Sequence, residues 1–226
     1  MLTSIDYEFV QSVLTFWDRL SENEKKLTLD NITPVQYLKG TNIHNGEYDC
    51  IGVLLIKSGE LRIYISSNEG KEITLSRLRS NDVCVLSASC ILDNITFDVN
   101  IDAEQDSDIL LINAGFYKQL CKQNIYADGF TDKKIIDHFS EVMWAMEQIL
   151  FMSFDRRLAI FLSDEMTRNQ TEVIELTHEQ IAKYIGSARE VVTRMLKYFS
   201  REGIVELSRG GVRIINKKRL KELTLE

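Results

Sequence analysis

The chain has 226 residues, 44% of them apolar, and a formal net charge of −7. That is apolar enough for a proper core, and no run approaches the roughly 18 consecutive apolar residues of a membrane span. Asp6, Glu8 and Asp18 near the start do not suit a signal peptide, so a cytoplasmic location without membrane contact is expected.

Residues 5–29 read as helical, with Phe9, Val13, Leu14, Phe16, Trp17 and Leu20 at helical spacing. Ser21 opens a second short helix, with Glu24 as its capping-box partner. From Val35 to Ile112 short β-branched and aromatic runs alternate with turn residues. Examples are Val53-Leu54-Leu55-Ile56, Leu61-Arg62-Ile63-Tyr64-Ile65 and Glu72-Ile73-Thr74-Leu75. Such hairpins, spaced about ten residues apart, predict a β-sandwich or roll. Leu61, Ile63 and Ile65 alternate with Arg62, Tyr64 and Ser66, which predicts one apolar strand face. Gly40, Gly46, Gly59 and Gly70 fall where turns are needed.

Phe116 to Gln123 predicts a short helix, and a long one follows from Thr131 to Phe154. Its apolar residues Ile135, Phe139, Val142, Met146 and Ile149 form a heptad seam, the expected dimer contact. A second row, Ile136, Met143 and Leu150, lies beside it. The alternative is one amphipathic helix buried within its own chain. A junction at Ser153–Asp155 precedes another helix, Arg156 to Met166. Charge divides at the same place: residues 1–154 hold 13 Lys+Arg against 23 Asp+Glu, residues 155–226 hold 14 against 11. An acidic sensor joined to a mildly basic, polyanion-binding part fits that split.

Residues 171–216 carry the densest signal. A short strand at Val173–Leu176 leads to Thr177, which caps a helix with Gln180. Gly186 ends that helix, and Ser187 is expected to cap the next, with Glu190 at its third position. Two short helices about a glycine make a helix-turn-helix. Val192, Met195, Leu196 and Phe199 form the inner face of the second helix. Its outer face presents Arg189, Glu190, Thr193, Arg194 and Lys197. An arginine at the start of a groove-entering helix can pair with guanine and a glutamate can accept from cytosine, while Thr193 and Lys197 sit nearer phosphates. The alternative for Glu190 alone is the capping partner of Ser187. Ile204–Leu207, the turn Ser208-Arg209-Gly210-Gly211 and Val212–Ile215 predict a β-hairpin wing with Arg209 at its tip.

The run Leu176-Thr177-His178-Glu179-Gln180-Ile181-Ala182-Lys183-Tyr184-Ile185-Gly186-Ser187-Ala188-Arg189-Glu190-Val191-Val192-Thr193-Arg194-Met195-Leu196 resembles the DNA-binding motif of the CRP/FNR (catabolite activator) family. Its core reads I-A-x-x-I-G-x-x-R-E-x-V-x-R-x-L, and the resemblance covers nearly the whole chain, with Arg157-Leu158-Ala159 on the helix after the junction. It implies an α+β fold: a cyclic-nucleotide-binding-like β-roll (jelly roll) sensor over 1–130, a dimerisation helix over 131–154 and a winged helix-turn-helix over 155–226. It implies an effector-controlled transcription regulator, a homodimer on a palindromic duplex, with RNA polymerase as a further partner. Arg189, Glu190 and Arg194 would read bases. Thr177, Ser187, Thr193, Lys197 and Arg209 would hold phosphates. Ala188 departs from the Ser or Thr common in relatives, which leaves one phosphate contact in doubt.

In cyclic-AMP-binding members the phosphate cassette carries a glutamate and an arginine. The corresponding stretch, Asn81 to Asp98, has neither, and the helix pair that touches adenine is Val142-Met143 here. Tight cyclic-AMP binding is therefore not expected, since a buried phosphate needs a cation. By position alone, Ser87, Ser89 and Trp144 are candidates for a pocket holding an unknown small-molecule effector. The cysteines Cys50, Cys84, Cys90 and Cys121 lack CxxC spacing and an N-terminal cluster, so neither an iron–sulfur centre nor a zinc site is expected, and they read as reduced thiols. Cys84 and Cys90 flank the cassette, with oxidation sensing the alternative to inert burial. Haem is not expected from the two sensor-half histidines, His44 and His138. A metal-holding β-roll enzyme would need several histidines on neighbouring strands, and no hydrolase or nucleotide-binding signature occurs, so no enzymatic activity is expected. A ligand-binding module acting through protein contacts alone is the remaining alternative.

Overall fold

The computed structural model describes residues 2–45, 50–70, 72–87 and 99–225. By packing the chain divides into two units, Met1–Ser66 with Leu75–Val142, and Ser67–Thr74 with Met143–Glu226.

The first unit opens with α1 (Ser4–Val13). Thr3 caps it in a reciprocal box with Asp6, whose carboxylate also binds Lys57 at 2.5 Å. Burial opposes ionisation of Asp6, but Lys57 and the Thr3 donors outweigh it and bring its pKa down to about 2. A 3-10 turn at Trp17–Arg19 separates α1 from α2 (Glu22–Asp30), which has the Ser21–Glu24 box read from the sequence. The strands follow: β1 (Ile32–Tyr37), β2 (Asn42–His44), β3 (Val53–Ser58), β4 (Glu60–Ser66), β5 (Glu72–Arg79), β6 (Val83–Cys84), β7 (Asn100–Ala103) and β8 (Ser107–Ile112). Among the described residues they form two sheets, ordered β1-β8-β3-β6 and β2-β7-β4-β5. Gly46 lies outside the described residues. Gly59, at φ +92° between β3 and β4, is needed because a methyl group there would overlap Ser107.

β3 is apolar without alternation because both its faces are covered. Val53 and Leu55 join Val10, Trp17 and Tyr117 in a core outside the roll, while Leu54 and Ile56 join Leu61, Ile63 and Ile101 between the sheets. β4 departs from the one-sided reading. Arg62 and Tyr64 are buried as well as Leu61 and Ile63. The Arg62 guanidinium lies 3.8 Å from the Tyr64 ring centre, 3.1 Å from Glu104 and 3.4 Å from Asp102. Next to it, buried Glu60 pairs with Arg77 at 2.5 Å and with Arg79 at 2.6 Å. Alternation misleads here because a polar residue is buried when its charge is matched inside.

α3 (Ala114–Gln123) is capped by Asn113, and α4 runs from Ile125 to Phe151. α4 starts six residues before the expected Thr131, straight through Gly129. Asn124 makes this possible by accepting from the backbone N–H groups of Tyr126 (3.0 Å) and Ala127 (3.3 Å). Thr131 turns inward and hydrogen-bonds Tyr117 at 3.0 Å and Cys121 at 3.4 Å. Cys84 and Cys121 are buried free thiols. Cys50 corrects the expectation of reduced cysteines: it is disulfide-bonded. Sequence spacing does not reveal a pairing between residues that meet only through the fold.

The second unit contains α5 (Phe154–Asn169), β9 (Val173–Ile174), α6 (His178–Ile185), α7 (Arg189–Arg201), β10 (Val205–Ser208), β11 (Gly211–Ile214) and α8 (Lys217–Leu225). Its sheet is ordered β10-β11-β9. Leu158, Leu162, Ile181, Val192, Leu196 and Phe199 form its core, completed by Leu220 and Leu223 of α8. The β4–β5 turn groups with this unit: the Thr74 hydroxyl donates to the Lys183 carbonyl at 3.1 Å. The whole is the α+β arrangement of roll, long helix and winged helix-turn-helix.

Candidate nucleic-acid interface

α6 and α7 meet at Gly186, which adopts φ 62° and ψ 50°, the left-handed conformation that closes a helix. Its N–H and that of Ser187 both donate to the Ala182 carbonyl. From α5, the Arg157 guanidinium donates to the Ile185 carbonyl at 3.2 Å, so three donors satisfy the end of α6. Thr177 caps the start of α6 with Gln180 as read.

The start of α7 differs from the sequence reading. Its N-cap is Ala188, which makes no side-chain cap bond, and Ser187 is one residue too early to cap it. Glu190 is consequently in the first turn and exposed, without the capping role that competed with base reading. An uncapped first turn leaves backbone N–H groups directed outward, and the helix dipole favours an anion there.

Arg189, Glu190, Arg194 and Lys197 are all exposed and line one open groove of about 570 Å³ along α7. Tyr198 and Arg201 extend its lining toward the C-terminal end of the helix. The sequence carried the signal for both, since 190, 194, 197 and 201 repeat at steps of four and three, and Tyr198 follows 194 by four. Thr193 lies on the same face, but its single O–H is spent on the Arg189 carbonyl at 2.8 Å. That bond competes with the phosphate contact expected of it.

A second cleft, of about 320 Å³, lies between the start of α6 and the wing. Thr177, His178, Glu179 and Arg189 line one side, Ser208, Gly210 and Gly211 the other. The wing pairs Ser208 with Gly211 across a two-residue turn that holds Arg209, which is exposed as read. Glycines at 210 and 211 let another backbone come close to the wing tip. Lysine 183 is half-committed to the unit's own surface, 3.6 Å from Glu72.

On α4 the exposed apolar row is Ile136, Phe139, Met143, Met146 and Leu150, at steps of three and four. Of the expected seam, Phe139, Met146 and Ile149 are exposed, Val142 is half-buried, and Ile135 packs on the core outside the roll. Ile135 is therefore not on the open seam. Two heptad rows sit side by side on this helix, and its rotation against the roll decides which is left open.

Of the expected effector residues, Ser87 and Trp144 are described. Ser87 is fully buried, and its hydroxyl donates to the Gly52 carbonyl at 2.6 Å, so it is part of the scaffold. Ser89 lies outside the described residues. Trp144 is half-exposed on α4, in the other unit. His138, weighed above only as a haem ligand, is buried on α4 with Nδ1 3.3 Å from Glu141 and Nε2 without a partner among the described residues. His44 is also buried. Among the described residues no cluster of His, Cys, Asp and Glu could hold a metal ion, and no helix is long and apolar enough to cross a membrane.

Comparison with known proteins reaches both units. The Crp-like helix-turn-helix domain family matches residues 156–223, and the cyclic nucleotide-binding domain family matches residues 34–124. A crystal structure assigned to the crp/fnr family of transcriptional regulators, from Eubacterium rectale, is 48% identical. It covers 93% of this chain and 98% of its own, with a TM-score of 0.89. The anaerobic regulatory protein of Bacillus subtilis is 22% identical over 80% of this chain and 78% of its own length. The cyclic AMP receptor protein of Thermus thermophilus is 22% identical over 75% and 77% respectively.

Proposed function

The chain belongs to the CRP/FNR family of transcription regulators, and from that premise we propose that it reads a palindromic duplex as a homodimer through α7. Arg189, Glu190 and Arg194 read base edges. Lys197 and Arg209, with the N-termini capped by Thr177 and following Ser187, fix register on phosphates. The observation that carries this reading is the uncapped start of α7, with Arg189, Arg194 and Lys197 exposed along one groove and paired with no carboxylate among the described residues. The second copy covers the exposed row on α4, because members of this family are dimers and a water-exposed seam of five large apolar residues is costly. The junction at 152–153 then sets the spacing of the two α7 helices, about 34 Å for half-sites one turn apart.

Cyclic AMP is not the effector in this reading. The three arginines of β4 and β5 are committed to Glu60, Asp102 and Glu104, and the cassette stretch supplies no other. The buried Nε2 of His138 on α4 is a polar atom that a bound effector would satisfy. A cytoplasmic location and contact with RNA polymerase follow from the regulator role.

The test is selection of a duplex from a random-sequence library on the full-length protein, followed by binding at rising salt. A palindromic consensus, with affinity falling steeply as salt rises, is the expected result. Retention of random sequence with no consensus overturns the base-reading role. Cyclic AMP binding at low micromolar affinity in calorimetry overturns the effector reading.

A further inference from the structure

The imidazole of His178 lines the cleft between α6 and the wing, beside Thr177 and Arg189, and has no role in the sequence reading. Its Nδ1 lies 3.0 Å from the Thr193 hydroxyl oxygen. That hydroxyl has one proton, and the proton is already given to the Arg189 carbonyl at 2.8 Å. Thr193 is therefore the acceptor, and the ring carries its hydrogen on Nδ1. In the neutral ring Nε2 bears a lone pair, which repels an anion. On protonation the same nitrogen becomes a charged donor. The chain His178–Thr193–Arg189 also joins the start of α6 to the first turn of α7, so the group that senses the proton holds the backbone of a base-reading residue.

The groups around the ring are Arg189 and Lys197 of α7, both cationic, and Glu179 beside it on α6. The wing contributes Ser208, Gly210 and Gly211, none of which titrates in this range. Burial holds the histidine below its ordinary pKa, and Arg189 and Lys197 add to that depression. In the free protein the ring is thus poised to be neutral near pH 7. A phosphate in the cleft reverses the local field, because its charge offsets the two cations.

We propose that His178 is a proton-dependent contact of the duplex backbone, so that this regulator takes up a proton at each half-site when it binds DNA. This rests on the DNA-reading role above and names a contact and a control that role does not contain. The sign follows from linkage. The bound pKa is the higher one, so the added affinity is fully present below the free pKa and is lost as pH rises through the bound pKa.

The test uses the full-length protein and the duplex selected on it, with polarisation binding at fixed ionic strength from about pH 5.5 to about pH 8. Wild type is expected to lose up to about tenfold in affinity per pH unit per subunit within the window between the two pKa values. His178→Gln is expected to match wild type at the alkaline end and to give a flat profile. His178→Arg is expected to be flat at the tight, acid-end affinity. Calorimetry in two buffers of different ionisation heat should show proton uptake for wild type and none for His178→Gln. A flat wild-type profile, or a His178→Gln profile as steep as wild type with an unchanged melting curve, overturns the proposal. If no duplex is selected at all, the base-reading role has failed instead, so the two failures are distinguishable.

Discussion

Arginine has opposite fates in the two units. In the roll, Arg62 is buried against Tyr64 between Asp102 and Glu104, and Arg77 and Arg79 close on the buried carboxylate of Glu60. On α7, Arg189 and Arg194 extend into water along an open groove beside Lys197 and Arg201. The same side chain is structural in one place and available in the other, and local sequence does not separate them. What separates them is whether a carboxylate has been folded against the guanidinium. A cation already matched inside the protein contributes nothing to a polyanion, whereas one held without a partner on a rigid helix keeps its full attraction for phosphate and for guanine. The net charge of the chain is a poor guide for this reason.

The contrast can be broken most severely from the inside. Glu60→Ala removes the buried carboxylate on which Arg77 and Arg79 close, and should cost about 3–5 kcal/mol in urea unfolding. Arg194→Ala should lie within about 0.5 kcal/mol of wild type in the same measurement. Equal costs would mean that the network in the roll is not the structural element its burial implies. On the DNA side the order reverses. Arg189→Ala should lose about 1–3 kcal/mol of binding, concentrated at one base pair, with an unchanged melting curve. Uniform loss on every sequence would place Arg189 on a phosphate instead.

Acid sharpens the same comparison at smaller scale. Asp6 is buried yet held down to about pKa 2 by Lys57 and Thr3, against 3.8 in an unfolded chain. A depressed carboxylate stabilises above its unfolded pKa, and the contribution is lost as pH falls from 3.8 through about 2. With solvent screening of Lys57 allowed for, Asp6→Asn should cost roughly 1–2 kcal/mol at neutral pH, with the difference from wild type vanishing in acid. An Asp6→Asn chain as stable as wild type at pH 7 would show the pair to be inert. The smallest effect belongs to Lys197→Ala, which should leave specificity intact and lower the slope of log affinity against log salt by about one per subunit.

Much of the second unit was readable before any coordinates. Thr177 and Gln180 are three apart, Gly186 follows an apolar pair, and Val192, Leu196 and Phe199 repeat at helical spacing, so α6, the turn and α7 are local facts of the chain. The wing is equally local, since Arg209-Gly210 separates two short β-branched runs. α8 carries local signals too, Asn216 as a cap accepting from the Arg219 N–H at 3.0 Å and Leu220 and Leu223 on one face, but they lie beyond the wing, outside the motif that the sequence marks. The cap of α7 was misplaced by one residue because Ser187 is the better capping side chain, while the double hydrogen bond onto Ala182 draws its N–H into the end of α6.

Short-range chemistry thus determined the helices, turns and wing, and with them the family and the face proposed to meet DNA, because caps, glycines and periodicity act over a few residues. Only the tertiary structure decided that Arg62 is spent inside, that Ile135 rather than Ile136 packs on the core outside the roll, that Cys50 is bonded and that His178 reaches Thr193 across two helices. Each of those depends on which distant residue arrives beside it, and burial, charge matching and helix rotation are properties of the assembled core, not of any stretch of sequence.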